Sequence, residues 1–147
     1  METYQATIED LEGVTNLFNM YRVFYEQPSD LEGAKSYIKE RLERKDSVIF
    51  VVKHQQEYLG FTQLYPTFSS ISMKRAWTLN DLYVDVKSRK QGIGEILLQK
   101  AKDYAVETRA CSINLSTAPD NYNAQRLYEK NGYKRDEQFY HYELNVN

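Results

Sequence analysis

Leu82-Tyr83-Val84-Asp85-Val86-Lys87-Ser88-Arg89-Lys90-Gln91-Gly92-Ile93-Gly94-Glu95 reads as the end of a strand, a short basic loop and the start of a helix. From Gly92 to about Arg109, Ile93, Leu97, Ala101 and Tyr104 recur at helical spacing, with Leu98 and Ala105 beside them. The first turn of such a helix has free N–H groups and a partial positive charge, so it can hold a phosphate. Gly92 and Gly94 let the backbone come close to an anion and adopt positive φ. Arg89 and Lys90 add positive charge nearby. Two familiar nucleotide loops fit poorly. The dinucleotide fingerprint needs a third glycine where Leu97 stands, and the Walker-type loop needs Gly-Lys-Ser/Thr where Gly94-Glu95-Ile96 stands. A nucleotide-phosphate binder is therefore a disfavoured reading, while a phosphate-holding strand–loop–helix stands.

Working outward, residues 77–86 form a long strand whose apolar Leu79, Leu82 and Val84 break strict alternation, which hints at a bulge. Before it, residues 47–53 and 58–65 read as two strands of a hairpin across the polar turn His54-Gln55-Gln56-Glu57, and residues 67–74 as a serine-rich loop. Nearer the N-terminus, residues 3–8 suggest a first strand. Asp10 suggests an N-cap for a helix carrying Leu11, Val14, Phe18 and Tyr21, which ends near Gln27-Pro28. Ser29 or Asp30 can cap a second helix to about Arg44, apolar only at Leu31, Ala34, Ile38 and Leu42 and so expected on the surface. Downstream come a short strand over 112–116, a helix over 121–130 stopped by Asn131-Gly132, and closing strands at 133–135 and 139–144. This order implies an α/β fold, a mixed sheet with helices on both faces.

The chain of 147 residues suits a single domain spanning 1–147 and can close a core without disulfides or metal. Its 19 basic and 21 acidic residues give no basic excess, which argues against a sequence-nonspecific nucleic-acid partner. Cys111 is the one cysteine, so no intrachain disulfide forms, in keeping with a reducing, cytoplasmic setting. The N-terminus lacks the pattern of a signal peptide, and the longest apolar run, residues 48–52, is too short to span a bilayer. Neither a membrane nor a metal ion is expected. Thirteen tyrosines suit either a wet groove or an ordinary sheet surface.

A second segment, Asn121-Tyr122-Asn123-Ala124-Gln125-Arg126-Leu127-Tyr128-Glu129-Lys130-Asn131-Gly132-Tyr133, joins the first to carry a resemblance. Arg89-x-x-Gly92-x-Gly94 after Leu82-Tyr83-Val84 resembles the pyrophosphate loop of the GNAT N-acetyltransferase superfamily. Asn123-Ala124-x-x-Leu127-Tyr128-x-x-x-Gly132-Tyr133 resembles that superfamily's second coenzyme segment. The resemblance implies a GNAT fold: a mixed, mostly antiparallel twisted sheet of about seven strands with a splayed parallel pair, flanked by about four helices. It implies acetyl-CoA as co-substrate and a primary amine as acceptor, small molecule or protein lysine. In that frame Leu82, Tyr83 and above all Val84 offer backbone groups to the pantetheine arm. Arg89, Lys90, Gln91, Gly92, Ile93, Gly94 and Glu95 wrap the pyrophosphate, Asn121 and Asn123 hold the coenzyme arm, and Tyr128 places its hydroxyl near the sulfur.

A thioester is already reactive, so the enzyme's tasks are proton management and positioning. A lysine-type amine has a pKa of about 10.4, so on the order of one in a thousand is neutral at pH 7 and a base helps. Asp81, just before the coenzyme strand segment, is the candidate base; a locally pairing carboxylate is an equal reading. Val84 could donate to the thioester oxygen, and Tyr128 could protonate the departing thiolate. Asp81-Leu82-Tyr83-Val84 resembles polyamine acetyltransferases, which commonly carry glutamate one position earlier, where Asn80 stands here. Tyr21-Arg22-x-Phe24-Tyr25-x-x-x-Ser29 resembles a histone and polyamine acetyltransferase subgroup. Tyr21, Tyr25 and Glu26, with Tyr65 and Phe68, are candidates for an aromatic acceptor site suited to a cation. A non-catalytic, CoA-binding sensor is the alternative, against which the retained Tyr128 argues. The aromatic stretch from Phe139 to Tyr142 would leave a sticky sheet edge, so a homodimer is expected.

Overall fold

The computed structural model describes all 147 residues. They fall into two compact units, residues 1–116 and 117–147. The first holds β1 (Glu2–Gln5), α1 (Leu11–Phe24), α2 (Leu31–Arg44), β2 (Val48–His54), β3 (Glu57–Ser69), β4 (Lys74–Val84), α3 (Ile93–Glu107) and β5 (Ile113–Asn114). Its sheet runs β1-β2-β3-β4-β5, antiparallel except for the parallel β4–β5 pair. The second unit holds α4 (Tyr122–Lys130).

The central strands are apolar on both faces because helices cover both. Val48 to Val52 are all buried, as a strand between two helical layers requires. On one face Phe61 and Tyr83 pack with Val14, Leu17 and Phe18 of α1 and with Ala34 and Ile38 of α2. On the other, α3 buries Ile93, Leu97, Leu98, Ala101 and Ala105, while Tyr104, expected on the same stripe, is half-buried. Gly60 lets α3 sit close: a Cβ there would meet Ile93 at 3.1 Å and the Tyr83 carbonyl at 2.9 Å.

Several boundaries differ from expectation. The loop expected at 67–74 shrinks to a tight turn, because Thr67, Phe68 and Ser69 pair with Ala76, Arg75 and Lys74 and lengthen the hairpin. The strand expected over 77–86 is β4, ending at Val84, where Asp85 accepts a bond from the Lys87 N–H and starts a 3₁₀ turn. The strand at 112–116 keeps two residues as β5. The closing strands at 133–135 and 139–144 do not form, so the sheet has five strands instead of about seven.

Asp10 stands at the N-cap position of α1, as expected, but its side chain makes no capping bond to that helix. With Thr7 it makes a capping box over the preceding 3₁₀ turn, Ile8–Asp10. Its carboxylate, 6% exposed, accepts from the Tyr4 hydroxyl (2.7 Å), the Tyr58 hydroxyl (2.6 Å) and the Thr7 N–H (2.9 Å). Burial pushes the Asp10 pKa up, but the bonds from Tyr58, Thr7 and Tyr4 outweigh it and hold the pKa below the ordinary value. Asp10→Ala strands two phenols and should cost about 3 kcal/mol, read as a lower thermal midpoint at pH 7. A depressed native pKa stabilises above the unfolded value, so this contribution fades as pH falls through the native value below it.

Candidate active site

β4 carries the first part of the site. Gln63 pairs with Asp81 but Leu64 pairs with Leu79, so Asn80 is the extra residue of a β-bulge, where the broken alternation hinted. Beyond Thr78, the last β4 residue paired with β5, the segment from Leu79 to Val84 has no strand neighbour on that side. This is the splay of the parallel pair, and it leaves a row of β4 backbone groups open to a ligand. The Val84 carbonyl there accepts from Arg89 Nε (3.0 Å), whose guanidinium lies over the rings of Tyr83 (5.5 Å) and Phe24 (5.7 Å).

The bulge turns Asp81 into the α1 face of the sheet, where it is 3% exposed. Gln63 Nε2 donates to one carboxylate oxygen (2.5 Å) and Asn80 Nδ2 to the other (2.9 Å). Ser47 donates to Gln63 Oε1 (2.8 Å), fixing which end of that amide faces Asp81. The Tyr21 hydroxyl donates to the Asn80 carbonyl (3.1 Å) and is a further hydrogen-bond partner of the carboxylate. Burial drives the Asp81 pKa up; the donors Gln63, Asn80 and Tyr21 pull the other way and lose, so the carboxyl stays above its ordinary value. Asp81 is thus a buried, oriented carboxylate with raised basicity. Tyr65 stands close enough to feel its charge, and burial, a 2.6 Å bond to Tyr37 and that charge raise the Tyr65 pKa.

Of the expected acceptor residues, Tyr21, Tyr65 and Asp81 come together. Tyr25 packs edge-on against Tyr21 (5.1 Å) and is half exposed at the end of α1, where Glu26 follows in an exposed turn. Phe68 does not join them: it pairs with Arg75 toward the hairpin tip, 72% exposed, several rungs from the Gln63–Asp81 pair. Gln63, Ser47 and Phe24 were missed as site residues. The signal for Gln63 was a large polar residue amid the apolar run of 58–65.

The loop after β4 supplies the second part. Arg89, Lys90 and Gln91 are exposed, and Gly92 caps α3 with φ 78° and open space where a Cβ would be. The first-turn N–H groups of Ile93, Gly94 and Glu95, which an α-helix cannot satisfy from within, follow. This left-handed cap, cationic rim and helix end fit a pyrophosphate. Gly92→Val should cost about 1–2 kcal/mol in backbone strain and weaken coenzyme binding, as calorimetric titration with CoA would show.

In the second unit Asn121 caps α4, accepting from the Ala124 N–H (3.2 Å). Asn123 is exposed and takes a short bond from Arg126. The Tyr128 ring lies 5.9 Å from that of Tyr133, and its carbonyl accepts the Tyr133 N–H (3.0 Å).

Bulged β4, splayed β5 and the glycine-capped α3 define an acetyltransferase fold. Comparison with known proteins agrees: residues 14–133 match the model of the acetyltransferase (GNAT) family, and the chain belongs to that family. It is 50% identical over 146 residues to the uncharacterized N-acetyltransferase YhfO of Bacillus subtilis, covering 99% of this chain and 98% of that one. A crystal structure described as that of a probable acetyltransferase shares 44% identity and a TM-score of 0.95, covering 100% of this chain and 99% of that one. An aminoglycoside acetyltransferase from a soil metagenome, solved with sisomicin, reaches a TM-score of 0.82 at 17% identity over 99% of this chain and 96% of that one, a likeness of fold alone. The protein is therefore an acyltransferase. No helix is long and apolar enough to cross a membrane, and no three His, Cys, Asp or Glu side chains gather as a metal cluster.

Proposed function

We propose that the chain is one acetyl-CoA-dependent N-acetyltransferase domain that acetylates a primary amine directly within a ternary complex. The observation that carries this reading is Asp81, a buried, doubly clamped carboxylate of raised pKa beside the open edge of β4. Asp81 takes the proton of the incoming ammonium, directly or through water, and leaves a neutral amine to attack the thioester carbon. The β4 backbone from Leu82 through Tyr83 to Val84 lines the pantetheine arm, and a Val84 N–H stabilises the developing oxyanion. For Val84 to serve the arm, Arg89 leaves the Val84 carbonyl and turns to the pyrophosphate with Lys90, Gln91 and the α3 N-terminus. Asn121 and Asn123 bind the coenzyme arm, and Tyr128 protonates the departing thiolate. The family match runs through both compact units, which supports a single functional domain.

Tyr21, Tyr25 and Tyr65 with Asp81 favour a cationic acceptor, in keeping with the histone and polyamine subgroup. Asn80 at the position commonly held by glutamate there supplies an amide that steadies Asp81. We place the enzyme in the cytoplasm, working as a homodimer. The test is release of free CoA thiol from acetyl-CoA with a panel of amines. Turnover on any amine supports the enzyme, and tight CoA binding with no turnover across the panel favours a sensor. Cys111 is exposed, with only the Ser112 hydroxyl at 3.8 Å, so Cys111→Ala should keep full turnover; its loss in a folded protein would overturn direct transfer.

A further inference from the structure

Tyr37 of α2 is 38% exposed, yet it is clamped like a buried side chain. Its ring stacks on Phe18, with 5.5 Å between centroids and 9° between planes, and the Arg41 guanidinium lies 4.8 Å from its centre. Arg41 is itself held by ion-pair contacts to Asp46 (2.9 Å) and Glu40 (3.0 Å). Stacking and the cation leave the ring little freedom, so its hydroxyl stays where it points, 2.6 Å from the hydroxyl of Tyr65.

Tyr65 in turn belongs with Asp81. It lies two residues beyond Gln63 on β3 and so shares a sheet face with it, and Gln63 is both the cross-strand neighbour of Asp81 and a donor to it. Tyr65 feels the charges of both Asp81 and Arg41. Burial, the Tyr37 bond and the Asp81 charge raise its pKa, so Tyr65 keeps its proton and stays a neutral hydroxyl. Either oxygen of the phenol pair can be the donor, and the two charges decide between them. A cation repels the hydrogen end of an O–H dipole and an anion attracts it. Arg41 lies against Tyr37 and Asp81 acts on Tyr65, so both O–H groups are biased to run from the Arg41 end toward the Asp81 end. Glu40 and Asp46 weaken the outer bias, while the buried Asp81 charge is little screened.

We infer that Tyr37 donates its hydroxyl hydrogen to Tyr65, turns the Tyr65 O–H toward Asp81, and so acts as a positioning residue for the acceptor site. The inference rests on the reading of Asp81 as the group that takes the ammonium proton. Asp81 gains one more donor, direct or through a water, set in place by a residue of another helix. Tyr65 then has one lone pair engaged by Tyr37 and a second left to accept. An incoming ammonium, which only donates, meets two acceptors side by side: the Asp81 carboxylate and the Tyr65 oxygen.

The test follows the ionisation of Asp81 by NMR of its carboxyl carbon, on the full chain, in wild type, Tyr37→Phe, Tyr65→Phe and the double variant. Phenylalanine keeps the ring contacts with Phe18 and Arg41, so the fold holds, which the thermal midpoint checks. Tyr65→Phe should raise the Asp81 ionisation midpoint by about half a pH unit, roughly threefold in its acid constant, because a donor to the charged form is lost. Tyr37→Phe should raise it by less, and the double variant should match Tyr65→Phe, because Tyr37 acts only through Tyr65. The other groups facing Asp81, namely Gln63 on β3, Asn80 on β4 and Tyr21 on α1, are the same throughout, as are Arg41, Glu40 and Asp46 beyond Tyr37. The sign of the Tyr37→Phe shift is decisive. Were Tyr65 the donor of the pair, removing the Tyr37 hydroxyl would release the Tyr65 hydrogen to Asp81 and lower the midpoint, which overturns the inference. An unmoved midpoint in either single variant overturns it too and leaves the pair a structural tie between α2 and β3. The titration needs no acceptor amine, so its result stands apart from the thiol-release assay that tests the enzyme reading.

Discussion

Asp81→Asn should lower kcat/KM by about 10²- to 10⁴-fold at neutral pH, the range a positioned general base contributes. The amide keeps the shape of the carboxylate and can still accept from Gln63 or Asn80, so the fold and CoA affinity should hold. The pH profile is the sharper readout. Burial raises the Asp81 pKa, so the enzyme should gain activity as pH climbs through that value, above where an exposed carboxylate titrates. The variant should lose this acid limb. Gln63→Leu deletes a bond that favours the charged form, so the limb should shift to higher pH, while CoA binding, which we propose for other residues of β4 and α3, should be unchanged. An Asp81→Asn enzyme with wild-type turnover and an intact acid limb would assign the carboxylate a purely structural part.

How far residues alone lead depends on how local the information is. The stripe Ile93, Leu97, Ala101 and Tyr104 predicts α3 because a helix needs only its own spacing; the first three are buried and Tyr104 is half-buried. The same holds for the glycine-capped loop, since positive φ at Gly92 is a property of one residue. The bulge at Asn80 showed as a broken alternation, but what it achieves did not, because that depends on Gln63 and Ser47 arriving from neighbouring strands. Phe68 looked like a loop aromatic near the acceptor because serines follow it. Cross-strand pairing with Arg75 overrides that local signal and carries Phe68 toward the hairpin tip. The period-two pattern of 139–144 predicts a strand that the structure does not form, because a strand needs a paired edge and local spacing cannot supply one.

Tyr128→Phe should reduce kcat by about 10²-fold or more while leaving the dissociation constant for CoA nearly unchanged. The reason lies in the second half of the reaction. When the tetrahedral intermediate collapses, the sulfur leaves as a thiolate whose parent thiol has a pKa of roughly 8.5. A phenol hydroxyl can hand its proton to the departing sulfur and is recharged from water after each turnover, so it suits a donor that acts late and only once. The loss should depend on the leaving group, which separates it from a packing defect. A thioester of a more acidic thiol needs less help, so Tyr128→Phe should cost that substrate less than it costs acetyl-CoA, as a donor acting in the transition state requires. A lost packing contact would penalise both thioesters alike and would show as a lower thermal midpoint. Here the Tyr128 ring and its neighbour Tyr133, 5.9 Å apart, keep their apolar contact in the phenylalanine variant. Equal losses on the two thioesters, or turnover at the wild-type rate, would leave Tyr128 a structural residue and return weight to the CoA-binding sensor.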